Sequence, residues 1–355
     1  VLMTDPLMFA PGFTLFECIS VVALLSVGVA LLQPVAGEAR RTARMQQSQD
    51  NLRFWGEATG SYINDYGGLL PTYTWQSGQV VNMVGWNGQP VSVRTLPYDA
   101  LVVLTIQETD LLRRRTGRAV GERKIRDYLV TIFPNRRRTH LVMADHMDLS
   151  VTSPRAADPQ DRFQLVAQRD PLRFEDVGPY PQSTGGESPF QGGSPNNPIV
   201  QRWPYSSSYR VVPASYSQDQ AVRGLATLGP HSSTSNLFHR GQLPYGGRRV
   251  DEVAFASQKV WMFEWHDRHS TDQGLWYAYP QARPNKLMFD GSVNDFATGD
   301  ANEGFNPNDP ANPEPFVYRY SPLTTEPAPV GDPDALYPVS FRWTRGGLAG
   351  IDYTP

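Results

Sequence analysis

Hydrophobic positions dominate the start of the chain. Residues 13–33 form an apolar run in which Glu17 is the single charged residue. As a helix this run would be about 31 Å long, close to the roughly 30 Å hydrocarbon thickness of a bilayer. The pattern therefore predicts a helix suited to an apolar environment, in which the carboxylate of Glu17 needs a partner.

A second pattern follows Pro34, where the chain becomes polar without losing helical periodicity. Apolar residues recur at three- and four-residue steps, which places them on one side of a helix. They are Leu52, Trp55, Ala58, Tyr62 and Tyr66. The Gly67-Gly68 pair is a typical C-terminal stop. We therefore predict a long N-terminal hydrophobic helix over residues 13–66, with residues 13–33 as the membrane or filament core.

The remaining residues, 67–355, predict a head domain of α+β class with an antiparallel β-sheet and extended loops. A second, shorter helix is expected after Pro97, ending near Arg113. Strands are predicted at residues 128–133, 208–212, 253–265, 287–289, 316–320 and 339–343. Residues 183–200 and 299–315 are rich in Pro, Gly, Asn and Ser, and we expect surface loops or arms that contact a partner.

Composition narrows the class of protein. The chain has 355 residues, and its 30 Gly and 31 Pro indicate a loop-rich globular protein. A collagen-like chain is excluded because the glycines do not recur at every third position. The 16 Phe, 16 Tyr and 8 Trp exclude disorder throughout the chain. The lone Cys18 excludes an intramolecular disulfide and a multi-cysteine metal site. A net charge of −3 gives no general field that favours nucleic acid or acidic lipid.

Residues 12–17, Gly-Phe-Thr-Leu-Phe-Glu, resemble the cleavage and methylation motif of type IV prepilins and type II secretion pseudopilins. The resemblance implies cleavage between Gly12 and Phe13, methylation of Phe13, and retention of Glu17 at mature position five for assembly. Pro34 then falls at position twenty-two, where many pilins carry a helix-loosening proline. Residues 1–12 would be a leader-like segment.

This resemblance implies a structural subunit of a pilin-like helical filament, assembled through packing of the N-terminal hydrophobic helices. An enzyme is not expected, since the chain lacks G-x-S-x-G, phosphate-loop and H-E-x-x-H motifs. Its partners would be further copies of itself, the membrane before assembly, and a prepilin peptidase with pilus or secretion machinery. Its location would change from the inner membrane to an extracellular filament or the cell surface.

Two other interpretations of residues 13–33 stay open, a secretory signal peptide and an ordinary membrane anchor. An anchor would carry a binding head that does not polymerise. Glycan is one ligand for such a head, since tryptophans fall in predicted loops: Trp75, Trp86, Trp203 and Trp276. In an uncleaved chain we expect Glu17 to contact a hydroxyl or backbone N–H of an adjacent helix.

A second resemblance lies near the C-terminus. Residues 286–293, Lys-Leu-Met-Phe-Asp-Gly-Ser-Val, are similar to the F-x-D-G-x-V turn of bacterial secreted pilin-like proteins with a β-rich head. That family often has a histidine ten residues before the aspartate, where this chain has Pro280. Whatever the family, Asp290-Gly291 between apolar stretches predicts a hairpin turn.

Two groups of residues could bind metal. Hard oxygen ligands with glycine suggest Ca²⁺ at Asp300, Asn302, Asn306 and Asp309, although Asx turns beside prolines explain the same residues without an ion. His and carboxylate ligands for a divalent transition metal follow one predicted strand, at Glu264, His266, Asp267 and His269. Hydrogen-bonded loop histidines are the alternative for His266 and His269.

Basic residues concentrate between positions 113 and 138, where the sequence has ten Arg and Lys residues. Such a cluster could bind nucleic acid or an acidic surface on a neighbouring subunit. We favour a subunit contact or a solvated face, because the near-balanced total charge provides acidic counterparts elsewhere in the chain.

Overall fold

The fold is described from a computed structural model. The structure describes residues 14–85, 88–95, 100–117, 135, 138–146, 152–169, 171, 205–217, 245–270, 274–305, 314–319 and 336–354, with backbone alone at 28–35, 100–101, 163, 167 and 318–319. The chain divides into two compact units, Val1–Met45 and Gln46–Pro355.

Helix α1 spans Leu15–Asp65, a length of 51 residues. Thr14 and Glu17 begin it with a reciprocal capping arrangement: the Thr14 N–H donates to Glu17 Oε2 at 2.8 Å, and the Glu17 N–H donates to Thr14 Oγ1 at 3.3 Å. Gly67 and Gly68, with φ of 60° and 91°, follow its end. The Gly68 N–H donates back to the Ile63 carbonyl at 2.8 Å, which satisfies one of the last carbonyls of the helix.

The expectation of a long hydrophobic N-terminal helix is wrong. Where the side chains of α1 are described, its large apolar residues from Leu15 to Val27 are exposed and not packed in a core. From Glu38 onward the same helix carries charged and amide side chains. Among the described residues, no helix is long and apolar enough to cross a membrane. The physical reason is that one helix contains both the apolar residues and the polar residues that follow them. The helix as a whole is therefore long without being hydrophobic along its length.

The second half of α1 packs into the core of the larger unit. Leu52, Trp55 and Ala58, which the helical period places on one face, are all buried. The Trp55 indole N–H donates to the Arg155 carbonyl at 2.8 Å. The Trp261 indole N–H donates to Thr59 Oγ1 at 3.0 Å. Apolar burial and two indole hydrogen bonds therefore fix the rotation of this part of the helix.

Shorter helices accompany α1. The α-helices are α2 (Ala100–Thr116), α3 (His140–Met143) and α4 (Arg162–Arg169). Single turns of 3-10 helix occur at Ala144–His146, Pro154–Ala156, Pro213–Ser215, Val250–Glu252, Ala256–Gln258, Thr298–Asp300, Ser340–Trp343 and Gly347–Ala349. The expected second helix is confirmed as α2, three residues longer than predicted at its C-terminal end.

The strands are short and pair antiparallel. They are β1 (Val80–Val84), β2 (Pro90–Arg94), β3 (Tyr209–Val211), β4 (Val260–Glu264), β5 (His266–Asp267), β6 (Leu275–Trp276), β7 (Lys286–Met288), β8 (Val293–Asn294), β9 (Val317–Arg319) and β10 (Leu336–Pro338). The central sheet has the order β3-β4-β7-β8. Pairs β1-β2, β5-β6 and β9-β10 form separate two-stranded sheets. Every residue of β4 is buried, so this strand lies at the centre of the core.

The strand predictions have mixed outcomes. The hairpin at Asp290-Gly291 is confirmed: it joins β7 to β8, and Gly291 has a φ of 87°. The strand predicted at 339–343 is wrong, because Ser340 has a φ of 51° and begins a 3-10 helix in which Phe341 and Trp343 are both buried. The strand predicted at 128–133 lies outside the described residues.

The C-terminal segment closes against the start of β4. Lys259 Nζ lies 3.2 and 3.1 Å from the two carboxylate oxygens of Asp352, and both side chains are buried. The Val260 N–H also donates to Asp352 Oδ2 at 2.8 Å. Thr344 Oγ1 contacts both the Lys259 ammonium and the Asp352 carboxylate. This ion pair anchors the end of the chain to the central strand, although burial raises the pKa of Asp352.

Lys286, at the start of β7, is a fully buried amine. Its Nζ donates to the carbonyls of Pro284 at 2.8 Å and Phe296 at 2.5 Å. It also lies 5.7 Å from the ring centroid of Phe341 and 5.5 Å from that of Tyr353. Burial lowers the pKa of Lys286 to about 7, although the negative charges of nearby carboxylates act to raise it.

We expect Lys286 to make stability rise with pH. Its pKa falls from an ordinary 10.5 to about 7 on folding, so between these values the unfolded chain binds more protons. The urea midpoint of the full chain should therefore rise from pH 7 to pH 9 more steeply than that of Lys286→Met. Arg94→Met, at an exposed position on β2, is the control and should keep the wild-type slope. Parallel slopes for wild type and Lys286→Met would contradict the expectation.

Candidate functional site

A buried polar cluster forms where β4 ends, around the carboxylate of Glu264. The side chain of Glu264 is fully buried. Its Oε2 accepts the Asn285 N–H at 2.9 Å, and its Oε1 accepts the Asn285 side-chain amide at 2.9 Å. Ser48, on α1, donates its hydroxyl to the same Oε1. A carboxylate at this depth is tolerated because several donors replace the water that it has lost.

His269 connects Glu264 to a second buried carboxylate, Asp158. The Nε2 atom of His269 lies 2.9 Å from Asp158 Oδ2 and 3.2 Å from Glu264 Oε1. Its Nδ1 lies 2.8 Å from the side-chain amide of Gln160. The Gln160 N–H donates to Asp158 Oδ1 at 2.6 Å, which fixes the orientation of that carboxylate. One ring nitrogen therefore faces two buried carboxylate oxygens.

Helix α1 and strand β3 complete the wall of the cluster. Ser48 Oγ and the Tyr209 hydroxyl lie 2.9 Å apart, and Asn51 donates its amide to the Tyr209 hydroxyl at 3.3 Å. Burial raises the pKa of Tyr209 well above its ordinary value, and the charges of Asp158 and Glu264 add to the effect. Tyr209 therefore stays a neutral phenol beside the carboxylates.

The electrostatics of the three central side chains are linked. Burial opposes ionisation of Asp158, yet the hydrogen bond and the charge of His269 lower its pKa. Burial raises the pKa of Glu264, with only partial compensation from His269. Burial alone would lower the pKa of His269, but the two carboxylates raise it to about 10. A positive charge between these carboxylates is thus strongly favoured.

Asp267 shapes the turn that carries His269. Its Oδ1 accepts the N–H groups of His269 at 3.1 Å and Ser270 at 3.0 Å, and its Oδ2 accepts the Arg283 N–H at 2.7 Å. An aspartate that accepts the N–H two residues ahead is a typical turn former. Asp267 therefore positions the histidine.

The cluster has the composition of a metal site. Asp158, Glu264 and His269 each offer one ligand atom, and these three atoms lie within 4.8 Å of one another. Imidazole with carboxylate suits a divalent transition cation. All three side chains are buried, which fits a structural role better than the binding of a substrate from solvent.

The structure separates the residues predicted for this metal site. Glu264 and His269 contact each other, whereas Asp267 holds the turn. His266, on β5, pairs with Trp276, and its Nδ1 lies 3.3 Å from the Arg268 guanidinium. The prediction missed Asp158, which contacts His269 across 111 positions of sequence. No local spacing could have indicated that residue.

The predicted calcium loop is described only in part. Asn306 and Asp309 lie outside the described residues. Asp300 is exposed at the end of a 3-10 turn. Asn302 contacts the C-terminal segment: its amide donates to the Ile351 carbonyl at 2.9 Å, and its Oδ1 accepts the Thr354 hydroxyl at 3.3 Å. Asn302 thus has a structural role in the described chain.

The residues predicted for processing and assembly lie at the other end of the chain. Gly12 and Phe13 lie outside the described residues. Pro34 lies within α1, where only the backbone is described, and the helix does not end there. Glu17 is exposed and accepts both the N–H and the hydroxyl of Thr14 at 2.8 Å, which lower its pKa.

Exposed apolar side chains surround the N-terminal part of α1. They are Leu15, Phe16, Ile19, Val21, Val22, Leu24, Leu25 and Val27. Leu15 and Phe16 are each 78% exposed, and Leu24 is 73% exposed. At about 100° per residue these positions occupy all sides of the helix. We call this stretch, residues 15–27, the apolar collar.

Several arginines of the basic stretch pair within the chain. Arg138 Nε lies 2.6 Å from Glu108 Oε1 with both side chains buried, and Arg114 lies 2.7 Å from Asp110. Arg115 contacts Asp145. These described arginines therefore contribute to packing around α2. Residues 118–134 and 136–137 of the stretch lie outside the described residues.

Two of the four tryptophans considered for glycan binding are described. Trp276 is fully buried in the aromatic core, so its faces do not meet solvent. Trp75 is half-buried. Trp86 and Trp203 lie outside the described residues.

No protein-family model matches this chain, and neither a curated protein nor a solved structure is similar to it. The function is therefore argued from the residues and their geometry.

The buried hydroxyl of Ser48 should stabilise the head. Ser48→Ala removes a donor from Glu264 and a partner from Tyr209, which should lower the free energy of unfolding by about 1 to 3 kcal/mol. Urea denaturation of the full chain measures this change. Ser92→Ala removes an exposed hydroxyl that bonds to Asn82, and its effect should stay within about 0.5 kcal/mol. Equal losses of unfolding free energy in the two variants would show that the buried hydroxyl of Ser48 stabilises the protein no more than an exposed hydroxyl does.

Proposed function

We propose that this chain is a structural subunit of a pilin-like helical filament, in which apolar collars of neighbouring subunits pack together. The single observation that carries the proposal is the exposure of large apolar side chains on all sides of residues 15–27. An apolar surface of this kind is ordinarily covered in the functional state of a protein. Because it surrounds the helix, several neighbours are needed to cover it, as in a filament core.

The polar groups of the apolar collar support this proposal. Ser20 donates its hydroxyl to the Phe16 carbonyl at 2.8 Å, and Ser26 donates to the Val22 carbonyl at 2.7 Å. Glu17, the only charged residue of the collar, lies in the first turn with its carboxylate on Thr14. The collar can therefore enter an apolar environment without leaving a hydroxyl unsatisfied.

The resemblance of residues 12–17 to prepilins supports the same function from a separate feature. It adds an ordered sequence of events: processing after Gly12, assembly, and an extracellular or envelope-spanning polymer.

Apolar contact in the collar should set the assembly threshold. Leu24→Ser should raise the concentration needed for polymerisation about tenfold or more, because a buried leucine contributes about 1.5 to 3 kcal/mol. Electron microscopy and sedimentation velocity of the full chain would measure polymer formation. Leu336→Ser, at a leucine 62% exposed on β10, is the matched control and should assemble normally.

These assays also test the proposal itself. Wild-type chains that stay monomeric across the concentration range, with a folded head, would overturn it in favour of a binding head that never polymerises. Equal assembly of the Leu24→Ser and Leu336→Ser variants would place the contact outside the apolar collar.

The role of Glu17 in assembly can be separated from its role as a helix cap. Glu17→Gln keeps a side chain that can complete the cap but removes the charge, whereas Thr14→Ala breaks the cap and keeps the charge. If the charge pairs with a neighbouring subunit, Glu17→Gln should lose filaments while Thr14→Ala retains them. The reverse result would assign Glu17 to capping alone.

A further inference from the structure

We propose that Asp158, Glu264 and His269 bind a structural divalent transition cation, with zinc as the ion that their geometry fits. The proposal is independent of filament assembly. Its starting point is the convergence of Asp158 Oδ2, Glu264 Oε1 and His269 Nε2, which lie within 4.8 Å of one another.

The spacing of these atoms suits three of the four ligands of a tetrahedral zinc ion. His269 Nε2 lies 2.9 Å from Asp158 Oδ2 and 3.2 Å from Glu264 Oε1. In a tetrahedral site with bonds of about 2.0 to 2.2 Å, ligand atoms lie about 3.4 Å apart. The two distances from His269 Nε2 would therefore lengthen by a few tenths of an ångström to admit the ion. Calcium prefers six to eight oxygen ligands, so a site with an imidazole favours zinc.

The outer contacts hold each ligand in a suitable orientation. Asp158 Oδ1 accepts the Gln160 N–H at 2.6 Å, and Glu264 Oε2 accepts the Asn285 N–H at 2.9 Å. The Gln160 amide nitrogen Nε2 lies 2.8 Å from His269 Nδ1, and a half-turn of this amide would present its oxygen to the N–H of a metal-bound imidazole. Second contacts of this kind are typical of metal ligands, because they fix orientation and tautomer.

Charge also favours a divalent ion. Two buried carboxylates face one ring nitrogen, and a single N–H can donate well to only one of them. A divalent cation would bond to both oxygens and balance both negative charges. It would also join the segment before α4 to a distant part of the chain that includes the end of β4 and the turn after β5.

Metal content of the full chain tests this inference. The protein, purified without chelators and dialysed, should contain one zinc per chain by plasma mass spectrometry. After removal of metal with dipicolinate, titration with zinc sulfate should restore one equivalent and raise the urea midpoint. A folded chain that neither contains nor binds zinc would overturn the proposal and leave His269 as a protonated bridge.

A pair of aspartates in one loop provides the matched comparison. Asp158→Asn removes a ligand, and zinc affinity should fall by more than the roughly 10- to 100-fold expected for loss of an outer contact. Asp161→Asn changes a buried aspartate that bonds to Arg268 and Ser208 instead, and it should keep wild-type affinity. Equal affinities in the two variants would place the zinc elsewhere and overturn the assignment.

Cobalt provides a readout that does not depend on the stability of a variant. Co²⁺ added to the metal-free wild-type chain should give the intense visible absorption of a four-coordinate ion. Zinc should displace it at one equivalent. A weak spectrum typical of six-coordinate cobalt would contradict tetrahedral binding at this cluster.

Discussion

Burial of the Glu264 carboxylate is the constraint around which the larger unit is organised. A charge at the end of a fully buried strand is stable only when donors or cations replace its lost hydration. Here the replacements come from Ser48 on α1, from His269 in the turn after β5 and from Asn285 just before β7. Elements distant in sequence are thereby held at one point by a requirement that apolar packing alone would not impose.

The fold shows which features a sequence can reveal. The buried face of α1 follows from helical period, because Leu52, Trp55 and Ala58 recur at the right steps. The Asp290-Gly291 hairpin follows from local turn chemistry. The alternation of apolar and polar residues at 339–343 wrongly predicted a strand. Phe341 and Trp343 are buried there, but they lie in a 3-10 helix. An alternating pattern indicates burial there but not extended backbone.

Sequence could predict only the part of the candidate cluster whose residues are close together along the chain. Glu264 and His269 lie five positions apart on a strand and its following turn, so their proximity could be expected. Asp158 reaches them through tertiary folding, and single-sequence spacing carries no information about that contact. The same limit applies to the N-terminus: the sequence shows an apolar run, whereas the exposure of its side chains required the structure.

The Lys259–Asp352 ion pair has a consequence for the order of folding during synthesis. The central strand β4 receives its anchor from a residue near the end of the chain, and Tyr353 packs in the same core. The head therefore cannot complete its core while the C-terminal residues are still inside the ribosome. The apolar collar is synthesised well before those residues, so its side chains are exposed on the nascent chain before the core of the head can close.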